Sequence, residues 1–136
     1  MAALTQARNT PERTGDVYGH PVKASTTIHQ GSLVVLDAGY AAPGRAALNL
    51  VAIGRAEESA TAVSAGDASV RVKRGVFKFA NSASADLIAQ ADVGADCYIV
   101  DDQTVAKTNG SSTRSRAGKI VAVDADGVWV QIGLGQ

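Results

Sequence analysis

The sequence is poor in cysteine, in aromatic rings and in net charge, and each shortage excludes something. Cys97 is the only cysteine in 136 residues, so no internal disulfide forms and no cysteine cluster is available for zinc. Thirteen basic and thirteen acidic residues cancel, which removes any bulk attraction to nucleic acid or to an anionic membrane. No run approaches the roughly 18 apolar residues of a spanning helix. The opening residues, Met1 to Arg8, lack the long apolar core of a signal peptide. The expectation is a protein made in the cytoplasm that stays soluble.

Chemistry-bearing motifs are equally scarce. There is no Gly-x-Ser-x-Gly elbow, no phosphate-cradling loop ending in Lys-Ser/Thr, and no His-Glu-x-x-His. His20 and His29 are the only histidines, and their spacing demands no metal. Asp101-Asp102 and Asp124-x-Asp126-Gly127 resemble fragments of calcium loops. Without the ligand ladder and closing glutamate they read as turn formers. Cys97 sits in a strand pattern between Asp96 and Tyr98 and reads as a small buried hydrophobe, not a nucleophile. No catalytic residue, metal or cofactor is therefore expected. A small hydrolase built on His20 or His29 with an Asp would need a pocket where polar groups converge.

What is present is alanine and valine. Of 62 apolar residues, 25 are Ala and 16 Val, and only six of all residues are aromatic. A core of small side chains gains less burial per residue, at roughly 25 cal/mol per Å² of apolar surface. Association with other chains is one way to make up the difference. The length suits one domain with a real core. Residues 1–17 read as an extended N-terminal arm and residues 18–136 as a single β-domain.

Period-two alternation with β-branched residues dominates the chain. The terminal stretch Lys119 to Gly133 is the clearest case. Val121 and Val123 share one face of a first run; Val128, Val130 and Ile132 share one face of a second, opposite Trp129 and Gln131. Asp124 to Gly127 between them is hairpin chemistry, because Asp bonds its own backbone and Gly tolerates positive φ. A second hairpin joins Cys97–Val100 to Thr104–Lys107 through Asp101, Asp102 and Gln103.

Upstream, Val22–Ile28 and Leu48–Ile53 read as strands, and the apolar centre of Ser32–Asp37 predicts a strand buried on both faces. The segment around Thr61 and Val63 leans the same way. Val70, Val72 and Val76 share one parity while Phe77 and Phe79 take the other, so a β-bulge is expected at Arg74-Gly75. Arg71, Lys73 and Lys78 would then form an outer basic face, solvated or partner-facing. Ser84 to Ala91 is the one helix candidate, with a Ser cap and Leu87, Ile88 and Ala91 at helical spacing. Thr108 to Ser115 reads as a polar, mobile loop. The fold class is all-β: a small β-barrel or β-tulip-like domain of short antiparallel strands, with one short helix near 84–91.

Several of these stretches resemble the capsid cement (head decoration) proteins of tailed phages. Gly66 to Phe79 resembles the signature strand of that family. Val93-Gly94, Tyr98 to Val105, Ala117 to Val121 and Asp126 to Ile132 follow in the family's order, after Gly31 to Val34 and Ala52 to Ala56. The likeness runs from about Tyr18 to Ile132 and leaves out the arm and the loop Thr108–Ser115. It implies a non-enzymatic virion protein on the outer capsid surface, made in the host cytoplasm. Such a protein would be a homotrimer at three-fold and quasi-three-fold positions, clamping neighbouring major capsid subunits and touching neither nucleic acid nor membrane. The residues expected at the capsid or subunit contact are Arg8, Pro11 and Arg13 of the arm, Tyr18 and His20 at its junction, and Trp129. A polar arm with Tyr18 and Pro21 suits strand addition to a sheet edge. Trp129 either covers a second core layer or sits at a subunit contact. The competing reading is a virion-displayed carbohydrate-binding or adhesion module. That would need an exposed aromatic platform from Tyr18, Tyr40 and Trp129.

Overall fold

The two parities on either side of Arg74-Gly75 serve two different sheets. In the computed structural model of the protein, which describes residues 2–10, 12, 13 and 15–134, the chain crosses there from one sheet to another. The strands are β1 (Val17–Pro21), β2 (Thr26–Ile28), β3 (Leu33–Asp37), β4 (Tyr40–Pro43), β5 (Leu50–Ala56), β6 (Ala60–Ala62) and β7 (Ser69–Lys73). They continue as β8 (Gly75–Phe79), β9 (Asp96–Ile99), β10 (Val105–Ala106), β11 (Arg116–Asp124) and β12 (Gly127–Ile132). They form a five-stranded sheet in the order β1-β7-β5-β3-β4, a second in the order β10-β9-β11-β12-β8, and a two-stranded sheet β2-β6. All the ladders are antiparallel. The protein is all-β.

Two cores follow from this layering. Leu33, Val35, Leu50 and Ala52 of the first sheet meet Phe77, Phe79, Cys97, Ile99, Ile120, Val128, Val130 and Ile132 of the second. On the first sheet's other face Val34, Ile53, Val70 and Val72 close on Val22, Ile28 and Ala62. β3 thus sits between both cores, as its unbroken apolar run predicts, with Val34 turned one way and Leu33 and Val35 the other. Val70 and Val72 serve one core, Phe77 and Phe79 the other. The expected bulge at Arg74-Gly75 is instead this change of sheet.

A bulge does occur in β5, where Val34 pairs with Gly54 but Val35 with Ala52. Gly54 has φ +146°, and a Cβ there would run into the Lys73 carbonyl oxygen. Glycine lets β5 approach β7 closely enough to pair. The terminal hairpin is β11 and β12, with Asp124 opposite Gly127 and the Asp124 carboxylate accepting from the Asp126 and Gly127 N–H groups. Its register shifts between Ile120 and Ala122. The shift turns Ile120 into the core and leaves Val121 43% exposed, which breaks the expected pairing of Val121 with Val123 on one face.

The expected barrel is not closed. The first sheet curls until its margins meet at one place, where Val22 bridges Ala41 and the Lys23 N–H donates to the Ala41 carbonyl at 2.9 Å. Pro21 ends β1 and Pro43 ends β4. Val22 N–H donates back to Ala68 and Gly44 N–H back to Leu33, so alternation turns both proline nitrogens toward the gap. Proline has no N–H to extend a ladder, and the margin stays open.

The expected helix at 84–91 is two short 3₁₀ turns, Ser84–Asp86 and Gln90–Asp92. The reason lies between them. Asn81 Oδ1 accepts the Ile88 N–H at 3.0 Å and Asn81 Nδ2 donates to the Ile88 carbonyl at 2.9 Å, taking both groups a helix would need. Ile88 is buried in the larger core by this clamp. The polar loop Thr108–Ser115 is fastened at both ends. Thr108 and Arg114 reach the Asp86 carboxylate, and Ser115 Oγ donates to the Ala47 carbonyl at 2.6 Å while accepting the Leu50 N–H at 3.0 Å.

Candidate docking site

The open margin of the first sheet is where the arm enters. Among the described residues before Val17 there is no strand, and all are exposed. β1 then pairs with β7 so that Tyr18 stands opposite Val72 and His20 opposite Val70. Directly opposed residues share a face. Tyr18 and His20 therefore continue the face that carries the smaller core, beside its member Ile53. The result is a cleft of about 420 Å³ lined by Arg13, Tyr18, Gly19, His20, Ile53, Arg74 and Leu134.

Its electrostatics are one-sided. The Arg13 and Arg74 guanidinium carbons lie 5.4 Å and 5.3 Å from the centre of the Tyr18 ring. The Tyr18 hydroxyl donates to the Gly15 carbonyl at 2.9 Å, which anchors the ring that both arginines approach. Partial burial at the rim disfavours the imidazolium and holds the His20 pKa below its ordinary 6.5. The site can offer hydrogen-bond donors to an acceptor and an apolar wall to whatever carries it.

Of the expected contact residues, the fold brings together Arg13, Tyr18 and His20. Arg8 is elsewhere in the arm, donating from Nη1 to Thr10 Oγ1 at 3.0 Å, and Pro11 lies outside the described residues. Trp129 is on the outer face of β12 and 37% exposed, so it covers no second core layer. Its Nε1 donates to Asp124 Oδ2 at 3.1 Å, and Lys78 Nζ lies 5.8 Å from its ring centre. Lys78 also pairs with Asp124 Oδ1 at 3.2 Å, and Arg71 with Glu58 at 3.1 Å, which neutralises much of the expected basic face.

Arg74, Ile53 and Leu134 complete the cleft without a clear sequence signal. Val17–Pro21 carries Gly and Pro, which strands avoid, so the register that sets Arg74 beside the arm was hidden. The other histidine, His29, shares a shallow recess with Ser32 and Asp102. Ser32 Oγ donates to the His29 carbonyl at 2.6 Å, and no imidazole–carboxylate bond is present among the described residues. Cys97 is buried and its thiol is pushed up to about 12 by desolvation. Comparison with protein-family models, curated proteins and solved structures finds no match for this chain.

Proposed function

We propose that the protein is a virion component that docks on the outside of a phage head and cements neighbouring major capsid subunits, as a homotrimer, without enzymatic activity. The observation that carries the reading is a polar arm, exposed at its described residues, leading straight into β1, an edge strand whose outer side is unpaired among the described residues beyond the single bridge at Val22. An edge with free backbone groups is a template for another chain. The ordered series of family-like stretches from Tyr18 to Ile132 supports the same reading. So does a core of small residues, which suits a chain that completes its burial by association. Exposed Val76, Val121 and Trp129 on the outer side of the second sheet offer apolar surface for a subunit contact.

The test is the native mass of the purified protein together with co-sedimentation on heads assembled without it. Head binding, with a mass near three chains or with assembly on the head, is the expected result. Removing residues 1–16 should weaken head binding and leave the β-body folded. A monomer that ignores heads refutes the proposal, and undiminished binding by the truncated chain removes the arm from it.

A further inference from the structure

Arg74 is the exception among the arginines of the β-body. Arg45, Arg55, Arg71, Arg114 and Arg116 each have a carboxylate within ion-pair distance: Asp37, Glu57, Glu58, Asp86 and Asp96. Arg74 has none among the described residues, and neither does Arg13, which shares the Tyr18 ring with it. Among the described residues, the lining of the cleft contains no Asp, Glu, Asn, Gln, Ser or Thr side chain. Tyr18 spends its hydroxyl proton on Gly15. What remains is two guanidinium edges and an imidazole, all able to donate, above the apolar Ile53 and beside the exposed Leu134.

A guanidinium held over a ring by cation–π attraction keeps N–H groups free for a carboxylate. We infer that this cleft is a carboxylate subsite, taking a glutamate side chain flanked by an apolar residue from an extended segment of the docking partner. Naming the partner's peptide as the source rests on the docking reading above. A phosphodiester is the poorer fit, because nucleic-acid binding needs several phosphate contacts and the described lining offers only two guanidinium groups.

The probe is the peptide acetyl-Ala-Leu-Glu-Leu-Ala-amide, titrated into the full-length ¹⁵N-labelled protein and followed by NMR. Shifts at Tyr18, Gly19, His20 and Arg74 are expected. Binding should weaken about tenfold when the peptide's Glu becomes Gln, and about tenfold with Arg74→Gln in the protein, since a charge-assisted pair is lost in each case. An otherwise unchanged spectrum of the Arg74→Gln protein shows that the fold is intact. Equal binding of the Gln peptide, no shift at about 20 mM peptide, or tighter binding of inorganic phosphate or an oligonucleotide overturns the inference. The same variant is then tested on heads, where a parallel loss supports the partner assignment and wild-type binding overturns it. Should the wild-type protein ignore heads while the titration succeeds, the docking reading fails and the carboxylate site stands. The reverse outcome removes the site alone.

Discussion

Replacing Ile120 and Val121 by alanine, one at a time, weighs the register shift in β11 against a regular hairpin. Ile120 is 2% exposed and sits in the larger core, whereas Val121 is 43% exposed on the other side of the sheet. In an unshifted strand the valine alternation would have put Val121 and Val123 inward and Ile120 outward. Truncating a fully buried isoleucine removes its transfer free energy and leaves a cavity, a cost of about 3 kcal/mol within a usual range of roughly 2 to 5. Truncating an exposed valine costs about 0.5 kcal/mol or less. For a domain of this size, about 3 kcal/mol corresponds to a fall in Tm of roughly 10 °C. Urea unfolding followed by circular dichroism should show a lower midpoint for Ile120→Ala with an unchanged slope, and near wild-type behaviour for Val121→Ala. Repeating both at tenfold different protein concentrations separates any contribution from association. A Val121→Ala loss equal to or larger than that of Ile120→Ala at low concentration would refute the shifted register.

Three further outcomes follow from the structure. At pH 8 the buried Cys97 thiol, pushed up to about 12, should react with a disulfide reagent about a thousandfold more slowly than a free thiol, and urea should restore the rate; fast labelling of the native protein contradicts this. The carboxyls of Asp37 (bonded by Lys23, then Arg45) and Asp96 (bonded by Lys119, then Arg116) are held below the ordinary 3.8. Their stabilisation is complete above that value and is lost as pH falls through the depressed folded pKa. His20, also depressed, adds a loss in the same direction as pH drops below 6.5. The urea midpoint should therefore fall from pH 7 to pH 3, and Asp96→Asn should flatten part of the acid limb; a flat profile excludes the linkage. Gly54→Ala should cost about 2 kcal/mol or more because the new Cβ meets the Lys73 carbonyl, while Gly19→Ala, with open space around it, should stay within about 0.5 kcal/mol; equal stabilities measured by urea titration would count against the close approach.

The candidate site was only partly legible in advance. Arg13, Tyr18 and His20 were visible as an arm and its junction, because a stretch without apolar rhythm ahead of a β-rich body stands out in any sequence. That Arg74 joins them depends on β1 pairing with β7, from Val17 with Lys73 to Pro21 with Ser69, and no local pattern encodes so distant a partner. Trp129 was legible as an outward residue and ambiguous in its role. Only its exposure on the outer face of the formed sheet decided that it covers no second core layer.

By itself the sequence determined what is local. Asp124 to Gly127 makes a hairpin because its bonds close within four residues, and valine alternation makes strands because β-branched side chains pack on a pleated face. Those terms need no distant partner. The tertiary structure decided the rest, where two local solutions have similar energy. A phase change at Arg74-Gly75 serves a bulge or a sheet switch equally well until the second core exists to receive Phe77 and Phe79. The segment from Ser84 to Ala91 has helical spacing, yet Asn81 and the larger core claim Ile88 more strongly than so short a helix can. The valines around 120 gave way to one isoleucine for the same reason. Burial against a formed core outweighs a propensity of a few tenths of a kcal/mol.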